Sequence, residues 1–204
     1  MANEIDDVVP ITINLVSEFQ DFTTYEVVDP NGNITITPNS VTVDHMERPI
    51  VAYVRKDFGD SFFIDFIHEV DIMITAGSDR GHNVLWGLAS LETVHTEDDW
   101  RIGTDGISLY LWYNYGNMEL YFRDSVTGNI GGWVDIQEGI QYHLVISRQG
   151  TVGTVEIYEG ETLLHTINIA LGIQPYRYLF ATASRGSNGA STSWLSYAVS
   201  NLKT

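Results

Sequence analysis

The residues best suited to chemistry lie between positions 106 and 124, where aromatic and charged side chains alternate with apolar ones. Flat aromatic rings stack on the C–H faces of sugars, and charged side chains form hydrogen bonds with sugar hydroxyls. The sequence therefore predicts a surface that binds a glycan or a protein. Its predicted residues are Tyr110, Trp112, Glu119, Tyr121 and Arg123, with Trp100 and Arg101 in a rim loop. The alternative is that another strand or a subunit covers Tyr110 and Trp112.

A β-hairpin must position these side chains, and its register can be predicted from the pattern. If Tyr115 and Gly116 form a two-residue turn, one face of the hairpin is wholly apolar and the other carries the aromatic and charged residues. A slip of one residue would mix the two sets. The predicted opposed pairs are Tyr113–Met118, Leu111–Leu120 and Leu109–Phe122 on the apolar face, and Trp112–Glu119, Tyr110–Tyr121 and Ser108–Arg123 on the other.

The same period-two alternation runs through most of the chain, and no amphipathic helix interrupts it. Turn residues such as those of Asp29–Gly32 separate short strands, among them Thr23–Val28. This pattern predicts an all-β fold, a two-sheet antiparallel jelly-roll sandwich. The 204 residues fit one such domain. We divide the chain into residues 1–19, an N-terminal arm or first strand that could serve as an anchor, and a jelly-roll domain of residues 20–204.

Composition excludes several classes of partner. The formal net charge is −17, so phosphate backbones and anionic bilayers would be repelled, and we expect neither nucleic acid nor a membrane as partner. Calcium, neutral sugars and a basic protein patch are compatible with this charge. Residues 1–10 lack the basic and apolar regions of a secretory signal, and no apolar run approaches the length of a membrane helix. We expect synthesis in the cytoplasm.

Catalytic and metal-binding signals are weak. The chain has no cysteine, and it shows no nucleophile elbow, zinc-protease motif or phosphate loop. His143 and His165 lie in strand patterns and are interpreted as structural. No cofactor is required, but calcium could be bound by oxygen-rich clusters, among which the sequence does not choose. These are Asp57/Asp60, Asp29/Asn31, Asp98/Asp99/Asp105 and Asp124/Asn129, each of which is also typical of plain turns.

Three strand patterns and the closing segment carry a family resemblance. They are Tyr142–Arg148, Thr154–Tyr158, Thr162–Thr166 and Ser193–Leu202. Their order and spacing resemble the laminin G-like branch of the concanavalin A-like lectin/glucanase superfamily. The resemblance implies a jelly roll with one concave and one convex sheet, binding of glycans or proteins at the concave face or its rim, and in many members a calcium ion. It also implies a likeness to phage and viral structural or adhesion proteins.

The resemblance also brings the one enzymatic hint. Glucanases of this superfamily carry a strand motif Glu-x-Asp-x-(x)-Glu, in which the first Glu is the nucleophile and the last the acid/base. Glu69 and Asp71 match its first two positions, but Met73 and Ile74 stand where the third carboxylate belongs. Without that carboxylate no group protonates the leaving oxygen. We therefore expect no catalytic residues.

These observations lead to three functional hypotheses. The first is a non-catalytic binding or structural module displayed on a virion or similar particle, or on an extracellular surface. It would be a decoration or adhesion protein that joins other subunits through its N-terminal segment. The second is a free carbohydrate-binding lectin. The third, and the least favoured, is a glycoside hydrolase of the β-glucanase type.

Overall fold

Two antiparallel sheets of seven strands form the protein in the computed structural model, which describes residues 17–47, 50–91, 106–184 and 193–204. A short 3-10 helix, Phe22–Thr24, precedes the first strand. In chain order the strands are β1 (Glu26–Val28), β2 (Ile34–Thr37), β3 (Ser40–Glu47), β4 (Tyr53–Asp57), β5 (Phe66–Gly77), β6 (His82–Ala89), β7 (Ile107–Asn114), β8 (Asn117–Asp124), β9 (Ile130–Ile136), β10 (Gln141–Gln149), β11 (Val152–Glu159), β12 (Thr162–Ala170), β13 (Tyr178–Ser184) and β14 (Trp194–Lys203).

The chain crosses between the sheets several times. Sheet I has the order β1-β4-β13-β6-β7-β8-β9, and sheet II has the order β12-β11-β10-β5-β14-β3-β2. Consecutive hairpins supply one side of each sheet, while β13 and β14 insert between strands that are distant in sequence. The predicted all-β, two-sheet antiparallel sandwich is confirmed.

The core lies between the sheets because each strand turns its apolar residues inward. Strand β10 shows this alternation, with Leu144 and Ile146 fully buried between more exposed neighbours. Trp86 of sheet I crosses the core and donates a hydrogen bond from Nε1 to Nδ1 of His68 on sheet II, at 3.2 Å. Full burial of one large apolar side chain contributes roughly 1.5–3 kcal/mol, so this layer stabilises the sandwich.

The predicted hairpin is β7–β8, and all six predicted pairs are observed. Tyr115 and Gly116 both have positive φ, 50° and 93°, as a tight turn of this hand requires. The apolar face, with Leu109, Leu111 and Phe122, belongs to the core. The other side of the hairpin, which carries the aromatic and charged residues, points away from sheet II.

The start of the described chain differs from the predicted strand at Thr23–Val28. Asp21 accepts hydrogen bonds from the backbone N–H and the hydroxyl of Thr23, at 3.0 and 2.6 Å. A short side chain that bonds to the nearby backbone favours a turn over a strand. Residues 22–24 therefore form the 3-10 helix, and the strand begins only at Glu26.

Residues 18–20 pair with the end of β14. Glu18 N donates to Thr204 O and Thr204 N donates to Glu18 O, both at 3.1 Å, and Gln20 N donates to Leu202 O at 2.8 Å. Glu18 is thus hydrogen-bonded to the end of sheet II, two residues before residue 20, where the sequence analysis begins the jelly-roll domain. Most of the predicted arm, residues 1–16, lies outside the described residues.

Candidate functional site

The outer face of sheet I carries two rows of side chains across neighbouring strands. The pairing of β6, β7, β8 and β9 aligns His82, Trp112, Glu119 and Asp135 in one row, and Val84, Tyr110, Tyr121 and Trp133 in the next. The aromatic members pack together. We call this set the aromatic face, defined as His82, Tyr110, Trp112, Tyr121 and Trp133.

The rings of the aromatic face hold one another in place. Tyr110 and Tyr121 are stacked with centroids 4.9 Å apart and an interplanar angle of 9°. Trp133 lies 4.2 Å from Tyr121 and 5.1 Å from Trp112, centroid to centroid. The hydroxyl of Tyr121 is 2.6 Å from Nε2 of His82. Because these side chains stand on paired strands, the face is rigid.

Exposure divides the predicted residues into two groups. Tyr110 has 0% of its surface exposed and Tyr121 has 3%, so the chain itself covers them and they support the face from below. Trp112 is half-buried, and Trp133 is 47% exposed. The aromatic surface that a ligand can reach is therefore formed by Trp112 and Trp133.

The two ends of this face differ in charge. At one end Glu119 and Asp135 oppose each other across β8 and β9. Partial burial, and then the negative charge of Asp135, raise the pKa of Glu119. At the other end Arg123 is half-buried, and Ser108 is paired with it across the strands.

The structure describes some of the predicted contact residues and adds others to the site. Trp100 and Arg101 lie outside the described residues, in the connection between β6 and β7, as do Asp98, Asp99 and Asp105. Conversely, the structure adds Trp133, Asp135 and His82, which are not among the site residues predicted from the sequence. The signal that joins them to the face is the pairing of β9 and β6 with the hairpin, which local pattern does not reveal.

The Glu69/Asp71 pair occupies the outer face of the other sheet. Val70 and Ile72 point into the core, so the two carboxylates point outward with Met73, and both are half-buried. Lys203 Nζ is 2.6 Å from Glu69 Oε2. His143 Nδ1 lies 2.7 Å from Asp71 Oδ1, and Asn201 Nδ2 donates to Asp71 Oδ2 at 2.8 Å.

This arrangement is a structural polar network. Each carboxylate is held by a neighbouring strand, and the position after them is occupied by a thioether. The network lies on the opposite side of the sandwich from the aromatic face.

Three of the four oxygen-rich clusters lie in the described residues, where their carboxylates take part in turns and ion pairs. Asp57 and Asp60 both bind the Arg177 guanidinium, with contacts of 2.6–2.7 Å, and the hydrogen bond from Arg177 lowers the pKa of Asp57 to about 2. Asp29 accepts from the backbone N–H groups of Asn33 and Ile34. Over the described ranges, no group of three or more His, Cys, Asp or Glu side chains could hold a metal ion.

Asp124 and Asn129 likewise close a turn. Asp124 accepts from the N–H groups of Val126 and Gly172, both at 2.8 Å, and from the Thr127 hydroxyl at 3.0 Å. Asn129 Nδ2 donates to Ala170 O at 2.8 Å.

As for membranes, none of the helices within the described part of the chain is long and apolar enough to cross a bilayer.

Solved structures with the same fold include lectins and an enzyme. The legume lectin-like domain from Entamoeba histolytica matches with a TM-score of 0.56 at 16% identity, covering 87% of each chain. Lectin II from Ulex europaeus matches at 0.53 and 12% identity, covering 92% of this chain and 97% of the lectin. The family 18 polysaccharide lyase aly-SJ02 matches at 0.51 and 10% identity, covering 89% of this chain and 94% of the lyase.

Comparison at the level of sequence gives no relative. No protein-family profile and no curated protein sequence matches the chain. Identities this low show the fold alone, and one fold can host both binding and catalysis. The chain therefore has the concanavalin A-like jelly-roll fold of the lectins.

Proposed function

We propose that the protein is a non-catalytic glycan-binding module and that the ligand lies on the aromatic face of sheet I. The observation that carries this proposal is the pair of accessible indole rings, Trp112 and Trp133, beside the carboxylates of Glu119 and Asp135. Indole rings supply flat surfaces for sugar C–H groups, and carboxylates accept hydrogen bonds from sugar hydroxyls. The lectin-type fold supports this reading.

The construction of the site favours binding without large rearrangement. The reachable tryptophans rest on Tyr110 and Tyr121, whose rings are locked by stacking and by the contact with His82. A site held by packed side chains on strands loses little conformational entropy when a ligand binds. The tyrosines named as ligand contacts in the sequence analysis thus act here as positioning residues.

Replacement of Trp112 and Trp133 by Ala tests the proposal. We expect the double variant to lose at least about tenfold in retention on a glycan array, because each ring supplies stacking area in the site. The unfolding free energy should change by only about 1 kcal/mol, since both side chains are partly exposed. Phe62→Ala, which removes another exposed aromatic ring, is the matched control. Unchanged retention in the double variant would contradict the proposal.

A second test concerns catalysis. We expect no release of reducing ends from β-glucans, and the same null result for Glu69→Gln. Turnover by the wild type that disappears in Glu69→Gln would replace the binding proposal with a hydrolase.

We also propose, from the sequence pattern, that the domain is displayed on a virion or other extracellular surface as a member of the laminin G-like branch. The tether would be the N-terminal segment, residues 1–16. The hydrogen bonds of Glu18 and Gln20 with the end of β14 support this, because they fix the point on sheet II at which such a tether would be attached.

Deletion of residues 1–16 tests the tether. We expect the melting temperature to stay unchanged, because the deletion removes no described core strand, and we expect self-association measured by light scattering to disappear. A large fall in melting temperature would make the deleted segment part of the core and end the proposal.

A further inference from the structure

We infer that the Arg123 end of the aromatic face binds an oxyanion, a carboxylate or a sulfate, carried by the glycan. This inference rests on the proposed function and names its ligand class as acidic glycans. The site, here called the Arg123 corner, consists of Arg123, Ser108 and Ser125.

Arg123 forms no ion pair with any described residue, which is unusual for a half-buried arginine in a chain with 27 acidic and 10 basic residues. Its Nε is buried without a hydrogen-bond partner, and within the described ranges its guanidinium forms no ion pair. By contrast, Arg55 binds Glu26 at 2.7 Å, Arg177 binds Asp57 and Asp60, and Lys203 binds Glu69. An unpaired charge that is partly removed from water costs free energy, which a bound anion would recover.

Two serine hydroxyls beside Arg123 are also unsatisfied. Ser108, directly opposite Arg123 on β7, is 0% exposed, and Ser125, two residues further along, is 5% exposed. Neither Oγ has a hydrogen-bond partner. Such unpaired buried groups are rare, because buried polar groups in native proteins are nearly always paired. Because Arg123 is only half-buried, an oxyanion can reach its guanidinium fork, which matches the oxygens of a carboxylate or a sulfate.

The corner lies within reach of a sugar on the tryptophans. Glu119, Tyr121 and Arg123 alternate along β8, so Arg123 lies roughly 7 Å beyond Tyr121, with which Trp133 is paired. An acidic sugar next to the ring on Trp133 therefore brings its substituent to the corner. The carboxylates of Glu119 and Asp135 at the opposite end would repel that substituent, which sets the direction of the ligand.

The net charge of the protein excludes general electrostatic attraction as the cause of a preference for acidic sugars. A protein with a net charge of −17 repels acidic polymers at long range. A preference for acidic sugars would therefore come from a local site rather than from general attraction. Removal of one positive charge elsewhere should leave that preference intact.

Titration of the arginine Nε–Hε signals by NMR, in the full chain, tests the inference with four probes: galacturonate, galactose 6-sulfate, galactose and sodium sulfate. The signal of Arg123 is identified by its loss in Arg123→Gln. We expect it to shift saturably with the two acidic sugars and not with galactose. Arg123→Gln should weaken binding of the acidic sugars at least about tenfold, and Ser108→Ala should weaken it several-fold. Arg177→Gln, the same change of charge at a paired arginine, should have no effect.

The outcomes separate this inference from the proposed function. No shift of the Arg123 signal with any anion overturns the inference, whatever the glycan array shows. Equal affinity for galactose and galacturonate in the wild type also overturns it, while the glycan function stands. A shift with sodium sulfate alone, without binding of any sugar, retains the anion site and overturns both the glycan function and the acidic-glycan ligand class.

Discussion

Acidification from pH 6.5 to pH 4 is expected to lower the free energy of unfolding by about 3 kcal/mol through His68 alone. The His68 ring is buried among the rings of Phe63, Phe66 and Trp86, and this burial lowers its pKa to about 3. Between pH 6.5 and pH 3 the unfolded chain binds a proton at this position and the folded protein does not. Stability therefore falls as the pH falls through this window, by about 1.4 kcal/mol per unit.

Urea denaturation at pH 7, 6, 5 and 4 measures this effect, with His68→Asn as the matched variant. The Asn side chain removes the titrating group and retains an acceptor for Trp86 Nε1. We expect the stability of the variant to vary less with pH over this window, whatever its stability at pH 7. The depressed pKa of Asp57 acts below about pH 4 and so outside the window. Parallel curves for the two proteins would contradict the prediction.

Replacement of Asp124 by Ala is expected to cost about 3 kcal/mol of unfolding free energy. The carboxylate is fully buried and accepts hydrogen bonds from Val126, Thr127 and Gly172. Truncation removes these three hydrogen bonds to a buried, charged acceptor, and each contributes about 1 kcal/mol. The bond to Gly172 also joins the end of β8 in sheet I to the segment after β12 in sheet II.

Chemical denaturation compares Asp124→Ala with Asp60→Ala. Asp60 is exposed and forms an ion pair with Arg177, so its loss should change stability by less than about 0.5 kcal/mol. Asp124→Asn should lie between the two, because an amide keeps one acceptor oxygen. Equal stability of the Asp124 and Asp60 variants would show that the turn is held by other contacts.

The alternation of apolar and polar residues predicted the parts of the fold that depend on residues close together in the sequence. The β7–β8 register followed from two faces of opposite character and a turn of two residues. The pairing of strands that are distant in sequence was not predicted. The position of β14 between β5 and β3 depends on packing, which the residues of a short segment do not indicate. The strand predicted to begin at Thr23 was wrong there, because Asp21 accepts hydrogen bonds from Thr23 and residues 22–24 form a 3-10 helix.

The site was predicted in part for the same reason. Alternation placed Tyr110 and Tyr121 on the outer face of the β7–β8 hairpin, where the structure has them. It does not predict whether other residues cover that face, and both rings are buried. Trp133 joins the aromatic face, and Asp135 lies beside it, through the pairing of β8 with β9, which shifts register between Tyr121 and Phe122. The ion pair of Glu69 needs Lys203, which lies 134 positions away. Such contacts become visible only in three dimensions.

The pairing of Glu18 with Thr204 has a consequence for how this domain could be combined with others. Two peptide hydrogen bonds hold these residues side by side, so a cut before Glu18 and another after Thr204 would leave two adjacent ends. Such a unit can be spliced into a surface loop of a host protein without forcing the host's flanking residues apart. It can also be rejoined by a short linker and reopened at the Tyr115–Gly116 turn with its sheets intact.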